Sequence, residues 1–401
     1  MSETNKRIPE LDGLRVLMIF IVSWYHIWQQ SWLRPMIGTY SLDYLVRSGY
    51  VWVDGTVLLS AFLLFLPYAG AMRGAPVPDT RDFYCRRARR ILPAYYFITL
   101  AVLFGIAIPW KLYYTPQYMV KDVATHLTFT FPFFYDTYIA TPLGAASWTL
   151  AIMVQGYALF PLVARGVLKK PVLTLCVLCA VCLGFRAWCL WALADYSMVV
   201  NQLLNFLDVY VIGILGAIAY TRLEERRAGR ASRAAEEGGK KAARKKYIPQ
   251  AAATLIFIAG MAALLRLLRF QAASRDYVQI QARQMMLRPA FALCFILLIL
   301  SAPFALAPLR KLLGNPVTRF LGGVSMNYYL IHQTVVVHLK RIGFPPSLSD
   351  TPNQVGEQPW QTQYTLLAFG ISFALAVFVT YAIEKPAARA LIRLRAKRIS
   401  S

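Results

Sequence analysis

The segment ELDGLRVLMIFIVSWYHIWQQSWLR, residues 10–34, decides the fold of this chain. Arg15 and His26 are separated by ten residues, and those at 16–22 are all apolar. Eleven helical steps of about 100° make roughly three turns, which places both side chains on one helix face, about 16 Å apart. A membrane-spanning helix would put Arg15 at the headgroups and His26 halfway through the hydrocarbon. An ionisable residue at that depth is costly, which favours a functional histidine over one that only bonds a neighbouring helix.

The composition of the whole chain also indicates a membrane protein. Of its 401 residues, 58% are hydrophobic and only 15% are charged, which is too apolar for a soluble globule. Apolar stretches near the length of a membrane span recur along the chain. We therefore predict an all-α, polytopic membrane bundle of about ten transmembrane helices in a single domain, residues 1–401. The predicted spans are 16–34, 50–72, 91–110, 145–167, 171–194, 199–220, 249–268, 287–307, 318–339 and 363–384.

The formal charge of +24 is concentrated on alternate loops. One set includes the amino end with Lys6, the loop 73–90 and the stretch 221–247, and the opposite loops are poorer in Lys and Arg, except 269–288. The positive-inside rule then predicts that both termini are cytoplasmic, as an even number of spans requires. The charge thus marks orientation and suits membrane lipids and phosphorylated ligands rather than nucleic acid.

Two further features carry little chemistry. Three of the six cysteines, Cys176, Cys179 and Cys182, drift around one predicted helix and offer no converging fourth ligand, so we predict no metal site. The segment 221–247 is rich in Ala, Arg, Lys and Glu and indicates a solvated, partly helical or disordered cytoplasmic linker.

A cluster of four arginines lies at the predicted start of span three, in FYCRRARRILP at residues 83–93. Arg87 and Arg90 are three residues apart and share a helix face, so together they can grip phosphate oxygens. A multiply phosphorylated donor such as an acyl-coenzyme A fits this arrangement. The alternative is a topology anchor that binds lipid headgroups.

Polar residues recur inside later spans. Ser325, Tyr329 and His332 lie at i, i+4 and i+7, which makes a polar stripe that lines a cavity or contacts another helix. Arg186 and Asp208 can reach a similar depth from neighbouring spans, and we expect a structural ion pair between them. His126 has no evident partner, and His338 is expected at the membrane interface.

Several motifs together resemble one known family, the acyltransferase family 3 membrane enzymes, which are bacterial O-acyltransferases that modify envelope glycans and lipids. The resemblance covers nearly the whole chain in the right order, and its specific parts are the Arg-x10-His and paired-arginine elements. The matching segments are ELDGLR at 10–15 with Tyr25-His26, GYVWVD at 49–54 with LSAF at 59–62, residues 83–93, SWTL at 147–150 with 157–161, LG at 321–322 with Ser325, Tyr329 and His332, and IEKP at 383–386.

This resemblance implies a multi-pass protein of the bacterial cytoplasmic membrane. Its expected activity is transfer of an acyl group, most simply acetyl, from cytoplasmic acyl-coenzyme A to a hydroxyl of an extracytoplasmic glycan or lipid. The chain has no fused hydrolase-like domain, so we expect direct transfer or hand-over to a separate extracytoplasmic protein.

The resemblance also implies roles for individual residues. His26 would be the general base or a transient acyl carrier, and Arg15 would bind donor phosphate or stabilise the oxyanion. Arg87 and Arg90 would hold the coenzyme A phosphates. The remaining residues would orient Arg15, in the case of Asp12, or line the cavity: Ser60, Trp148, Tyr329 and His332.

Three departures from the family pattern keep other functions open. Met153 occupies a position where a glutamate is usual, Ala61 replaces a common glycine, and Met326 replaces an aromatic residue. A transporter of a small polar solute or lipid is the main alternative. A membrane protein that keeps the fold without the chemistry is the other.

Overall fold

The computed structural model of the protein describes residues 7–237 and 239–400, with no side-chain description at 145, 231, 233–246 and 394–400. These residues are almost entirely helical, with a single two-stranded hairpin among them. The helices are α1 Glu10–Ser31, α2 Asp43–Arg47, α3 Trp52–Ala71, α4 Thr80–Val102, α5 Pro116–Leu127, α6 Tyr135–Tyr138, α7 Trp148–Lys169, α8 Pro171–Ala192, α9 Leu207–Glu237, α10 Gly239–Ala272, α11 Tyr277–Ser301, α12 Ala307–Leu313, α13 Pro316–Arg341, α14 Trp360–Phe378 and α15 Lys385–Ser400. The strands β1 Met36–Ile37 and β2 Tyr40–Ser41 pair antiparallel, and π-helical turns extend α4 over Leu103–Ala107 and α14 over Val379–Glu384.

Nine helices in the described part of the chain are long and apolar enough to cross a membrane. They correspond to nine of the ten predicted spans, and the all-α fold is confirmed. The tenth predicted span, 318–339, coincides with α13, which has 26 residues but is more polar than the other nine. Its polar residues include the stripe that the sequence had singled out.

Two helices begin earlier than hydropathy indicates, because an aspartate caps each of them. The side chain of Asp79 accepts a hydrogen bond from the backbone of Asp82 at 2.7 Å, and Asp276 accepts one from Gln279 at 2.7 Å. The arginines at 86–90 therefore lie within the first turns of α4. Arg288, which the sequence analysis assigned to a loop, lies inside α11 and is fully buried, so that assignment was wrong.

The segments outside the long helices vary in structure. The predicted linker is helical where its backbone is described, because α9 continues to Glu237 and α10 begins at Gly239. Residue 238 and the side chains of 233–246 fall in this linker and lie outside the described residues, as does Lys6 at the amino end. The stretch 342–359 consists of turns and bends, and 112–135 contains only the short α5 and a 3₁₀ turn.

The chain forms two compact units, and three of the boundaries between them fall inside α1, α7 and α13. Unit 1 contains the residues up to Ile19, Tyr50–Pro78 and Leu159–Gly322. In this unit α3 packs closely against α9, since a Cβ on Gly213 would meet the Ala61 methyl at 2.8 Å and the Leu58 carbonyl oxygen at 3.0 Å. Small residues let membrane helices approach in this way.

The core of unit 1 holds two buried ion pairs. Arg186 donates to the Asp208 carboxylate at 3.0 Å, which confirms the predicted pair. Arg288 lies 3.3 Å from the Asp54 carboxylate, and its guanidinium lies over the Phe206 ring at 3.9 Å. Both arginines also donate to the backbone carbonyl of Asn205. This network satisfies charges that would otherwise be costly inside an apolar core.

Unit 2 contains Phe20–Gly49, Asp79–Ala158 and the residues from Gly323 onward. Here α14 joins two helices that carry predicted site residues. Gln361 donates to the Ser31 carbonyl at the end of α1, and Tyr364 donates to the Val336 carbonyl on α13. The Phe20 and Phe369 rings stack with their centres 5.1 Å apart. These contacts fix the part of α1 around His26 and the part of α13 around His332.

Candidate active site

A hydrogen bond within α1 selects one tautomer of the His26 imidazole. Its Nδ1 lies 3.0 Å from Oε1 of Gln29, one turn further along the helix. The amide nitrogen of Gln29 donates to the Tyr25 hydroxyl at 2.9 Å, so its carbonyl oxygen is the atom that faces His26. Because a carbonyl only accepts, Nδ1 of His26 carries the hydrogen and Nε2 carries the lone pair. An imidazole in this form can take a proton from a hydroxyl.

A second imidazole lies beside the first. The ring centres of His26 and His332 are 5.2 Å apart, and the planes are inclined by 48°. His332 is fully buried, and its Nδ1 lies 2.6 Å from the backbone carbonyl of Tyr329. The same reasoning gives an Nδ1 hydrogen and a bare Nε2, which has no hydrogen-bond partner among the described residues. The sequence placed His332 on a polar stripe but gave no sign that it meets His26.

Tyr329 connects this pair to the start of α7. Its hydroxyl lies 2.6 Å from the Thr149 hydroxyl and donates to the Ala146 carbonyl at 3.0 Å. Gln333 accepts a short hydrogen bond from the Ala146 amide. Trp148 is the first residue of α7 and is half-buried. In the sequence it lies between Ala146 and Thr149, the two residues that contact Tyr329. Met153 lies one turn beyond Thr149 and is also half-buried.

The two predicted phosphate-binding arginines lie on α4 in different surroundings. The Arg87 guanidinium lies between two buried rings, at 5.7 Å from the centre of Phe83 and 5.6 Å from that of Tyr157. Such a sandwich orients a planar cation without removing its hydrogen-bond donors. Arg90, one turn later, is exposed. Arg87 is thus oriented by aromatic rings, whereas the Arg90 side chain is open to solvent.

A polar cluster near the end of the chain was missed as a unit. Asn327 on α13 is fully buried and donates to Thr380 and to Glu384, each at 2.7 Å. Both acceptors lie in the π-helical turn after α14, a feature that is frequent at functional sites. The Glu384 carboxylate also interacts electrostatically with the positive charges of Arg90 and Lys385. Glu384 belongs to the IEKP segment, which the sequence resemblance did flag.

A second histidine site, which the sequence analysis also missed, involves His126 and Asp122 on α5. His126 Nδ1 lies 3.1 Å from a carboxylate oxygen of Asp122, and both side chains are fully buried. The Asp122 carboxylate also accepts hydrogen bonds from Tyr113 and Thr141. Burial, followed by the charge of Asp122, raises the pKa of Tyr113, which keeps this phenol a donor. The i, i+4 spacing of Asp122 and His126 was the signal that could have predicted the pair.

The remaining predicted site residues belong to unit 1. Asp12 is buried and lies 3.8 Å from Arg15, but its closer partner is Arg7, at 2.6 Å. Arg7 was not among the predicted site residues. Gly322 lies beside this carboxylate, because a Cβ built on it would be 3.4 Å from Cβ of Asp12, an ordinary van der Waals distance. Ser60 is half-buried on α3.

The described residues contain no cluster of histidine, cysteine and carboxylate side chains that could hold a metal ion. The six cysteines are free thiols. The groups of unit 2 that can take part in acid–base chemistry include the imidazoles of His26 and His332, and the oriented guanidinium of Arg87 can bind an anion.

Comparison with known proteins gives the family. Two relatives are the O-acetyltransferase OatA of Staphylococcus aureus, 25% identical over 41% of this chain, and the peptidoglycan O-acetyltransferase OatA of Listeria monocytogenes, 24% identical over 46%. The aligned parts are 26% and 29% of these relatives' own lengths. No solved structure matches the chain. The sequence profile of the family 3 acyltransferase domain matches residues 8–385. This match extends over nearly the whole sequence, and the chain therefore belongs to acyltransferase family 3.

Proposed function

We propose that this protein is a membrane O-acyltransferase that moves an acetyl group from acetyl-coenzyme A to a hydroxyl of an envelope glycan. The observation that carries the proposal is the His26 imidazole, whose Nε2 lone pair is directed by the Gln29 hydrogen bond on Nδ1. Membership of an acyltransferase family supports the reaction class. The name of the Listeria monocytogenes relative supports peptidoglycan as the glycan, and a lipid hydroxyl is the other acceptor of this chemistry.

The reaction assigns one step to each group. The Nε2 of His26 takes the proton of the acceptor hydroxyl while the oxygen attacks the thioester carbonyl. The tetrahedral intermediate expels the coenzyme A thiolate, which recovers the proton from the imidazolium. An ester and coenzyme A are the products, and the proton count is unchanged. The acyl-histidine route remains open to the same imidazole.

The donor is held by arginines in this proposal. Arg87, oriented by Phe83 and Tyr157, binds a phosphate of coenzyme A through its planar donors, and exposed Arg90 binds a second oxygen. Arg15, paired with Asp12, contacts donor phosphate or the developing oxyanion. Trp148 and Tyr329, both in unit 2, are proposed to line the binding cavity.

The direction of transfer follows from the charge distribution. The basic loops and both termini are proposed to face the cytoplasm of the bacterial inner membrane, where acetyl-coenzyme A is made. The acceptor is then on the other side. It is either the glycan itself or a separate extracytoplasmic protein that passes the acetyl group on.

Radiolabelled transfer tests the proposal. Purified protein is incubated with acetyl-coenzyme A carrying a labelled acetyl group and with a soluble peptidoglycan fragment, and alkali-labile label in the glycan is counted. His26→Gln is expected to reduce the rate on the order of 10²- to 10⁴-fold, because it removes the general base. His338→Gln is the matched control, since His338 lies on α13 against the edge of Trp110. Undiminished transfer by His26→Gln contradicts the role of His26, and no coenzyme-dependent label with the parent protein contradicts the function.

A further inference from the structure

The two imidazoles of unit 2 present a hydrogen-bonding problem that the proposed role of His26 does not solve. Each ring donates from Nδ1 to a fixed acceptor, Gln29 for His26 and the Tyr329 carbonyl for His332. Each ring therefore carries its lone pair on Nε2, and the Nε2 of His332 is buried with no hydrogen-bond partner among the described residues. A buried acceptor without a donor is unfavourable, so the pair is built for a proton or a hydroxyl that is not part of the chain.

The distance between the rings fits this interpretation. Their centres are 5.2 Å apart. A hydrogen bond joins heavy atoms about 3 Å apart, so rings at this separation can meet across a single hydrogen bond. In the resting state neither Nε2 carries a hydrogen, so no hydrogen bond joins the two nitrogens. Once either ring is protonated, one N–H donates to the remaining lone pair.

The surroundings of the two rings would stabilise an imidazolium poorly unless the two rings share the proton. The described contacts of the two rings are with Gln29, the aromatic rings of Tyr25, Tyr328 and Tyr329, and the Tyr329 carbonyl. None of these groups is a carboxylate that could balance an imidazolium. A positive charge in such a site is strongly disfavoured unless a neighbouring group accepts its hydrogen bond.

From this geometry we propose that His332 is a positioning residue that shares the transferred proton with His26. The inference rests on the proposed acyltransferase function. The acceptor hydroxyl loses its proton to Nε2 of His26 as the C–O bond forms, and Nε2 of His332 accepts a hydrogen bond from that N–H. When the C–S bond breaks, the proton passes from the pair to the coenzyme A sulfur. His332 makes no contact with the reacting carbon in this scheme.

Chemical rescue separates this role from a packing role. His332→Ala is expected to lower kcat on the order of 10- to 100-fold, with KM for acetyl-coenzyme A unchanged, as for other groups that support a reacting ligand. Added imidazole fills the space left by the ring and is expected to restore kcat in a saturable manner. N-methylimidazole is larger by one methyl group and has no N–H to donate to the Tyr329 carbonyl, so it is expected to rescue less. His338→Ala, assayed with and without imidazole, is the matched control.

The outcomes differ for the two proposals. A parent-like rate in His332→Ala, or a loss that imidazole does not relieve, overturns the role of His332 while the acyltransferase function stands. No coenzyme-dependent transfer by the parent protein overturns the function. In that case the proton pair is tested by a second measurement that needs no substrate.

That measurement is nitrogen NMR of protein labelled at its four histidines. At neutral pH, the His26 and His332 signals are expected to report Nδ1–H and an unprotonated Nε2. On acidification, the first proton is expected to shift the Nε2 signals of both rings together, and His332→Gln is expected to remove this joint change. Independent shifts of the two rings in the parent protein overturn the proposal.

Discussion

At the scale of the residue, the arginines of α4 show that neighbouring aromatic rings can determine which ligand a charged side chain is able to bind. Arg86 lies 3.9 Å from the Asp82 carboxylate, and Arg89 donates to the Cys85 carbonyl, so both have partners on their own helix. Arg87 instead lies between Phe83 and Tyr157, which orient its guanidinium plane. Four basic residues of similar sequence context therefore differ in what they can bind. A planar guanidinium can stack on an aromatic face, whereas the ammonium of lysine is attracted to the ring only as a compact charge.

This difference leads to a prediction for donor binding. Arg87→Lys keeps the charge but loses the planar fork and the stacking, and we expect coenzyme A to bind on the order of tenfold more weakly. Arg87→Ala removes a charged hydrogen bond worth about 1.5–3 kcal/mol, so its affinity should fall further. Arg86→Ala is the control, since that residue is paired with Asp82. Calorimetric titration of coenzyme A into purified protein measures all three. Equal affinities for the Arg87 and Arg86 variants would contradict a donor-binding role and favour the alternative, in which the arginine cluster binds lipid headgroups.

At the scale of the element, the first turn of α4 determines where its arginines lie. Asp79 accepts the hydrogen bond of the Asp82 amide and also gives the helix a negative charge at its amino end. Hydropathy alone marks only the membrane span from residue 91, whereas the helix face predicted for Arg87 and Arg90 requires helix before it. The cap thus adds the turns that present Arg87 to its two aromatic rings.

Removing the cap should therefore weaken both the helix and the donor site. Asp79→Ala is expected to cost about 1 kcal/mol of stability and to reduce coenzyme A affinity, while Asp79→Ser, which can still cap, should remain close to the parent. Asp276→Ala is the matched control, because it removes the corresponding cap of α11 in unit 1. Thermal unfolding and the coenzyme A titration are the two measurements. A loss of affinity for Asp276→Ala as large as that for Asp79→Ala would contradict a local effect.

At the scale of the whole molecule, the tenth span decides the topology of the carboxyl-terminal part. Nine described helices meet the length and hydropathy expected of a span, and α13 meets only the length. If α13 crosses the membrane, the turns around 312 and 348 lie on opposite sides. If it does not, they lie on the same side.

Cysteine labelling distinguishes these topologies. In a background in which the six native cysteines are replaced, we expect Leu348→Cys to react with a membrane-impermeant maleimide added to intact cells. Leu348 is completely exposed, and Leu312 is 67% exposed, so both positions are accessible to the reagent. Leu312→Cys and the exposed Ser232→Cys should react only after the membrane is permeabilised, as the positive-inside rule predicts. Labelling of both 312 and 348 from the same side would show that α13 does not cross.

The sequence by itself determined the helices, their approximate positions and the family, because apolar length and motif spacing are local properties of the chain. It also predicted the Arg186–Asp208 pair, since adjacent antiparallel helices bring such residues to one depth. Only the tertiary structure decided that His26 meets His332, that Asp54 meets Arg288, and that Asp12 is closer to Arg7 than to Arg15. The periodicity of a helix shows which residues share a face, but the helix that covers this face depends on packing between distant segments. The roles of the site residues remain predictions for the experiments above.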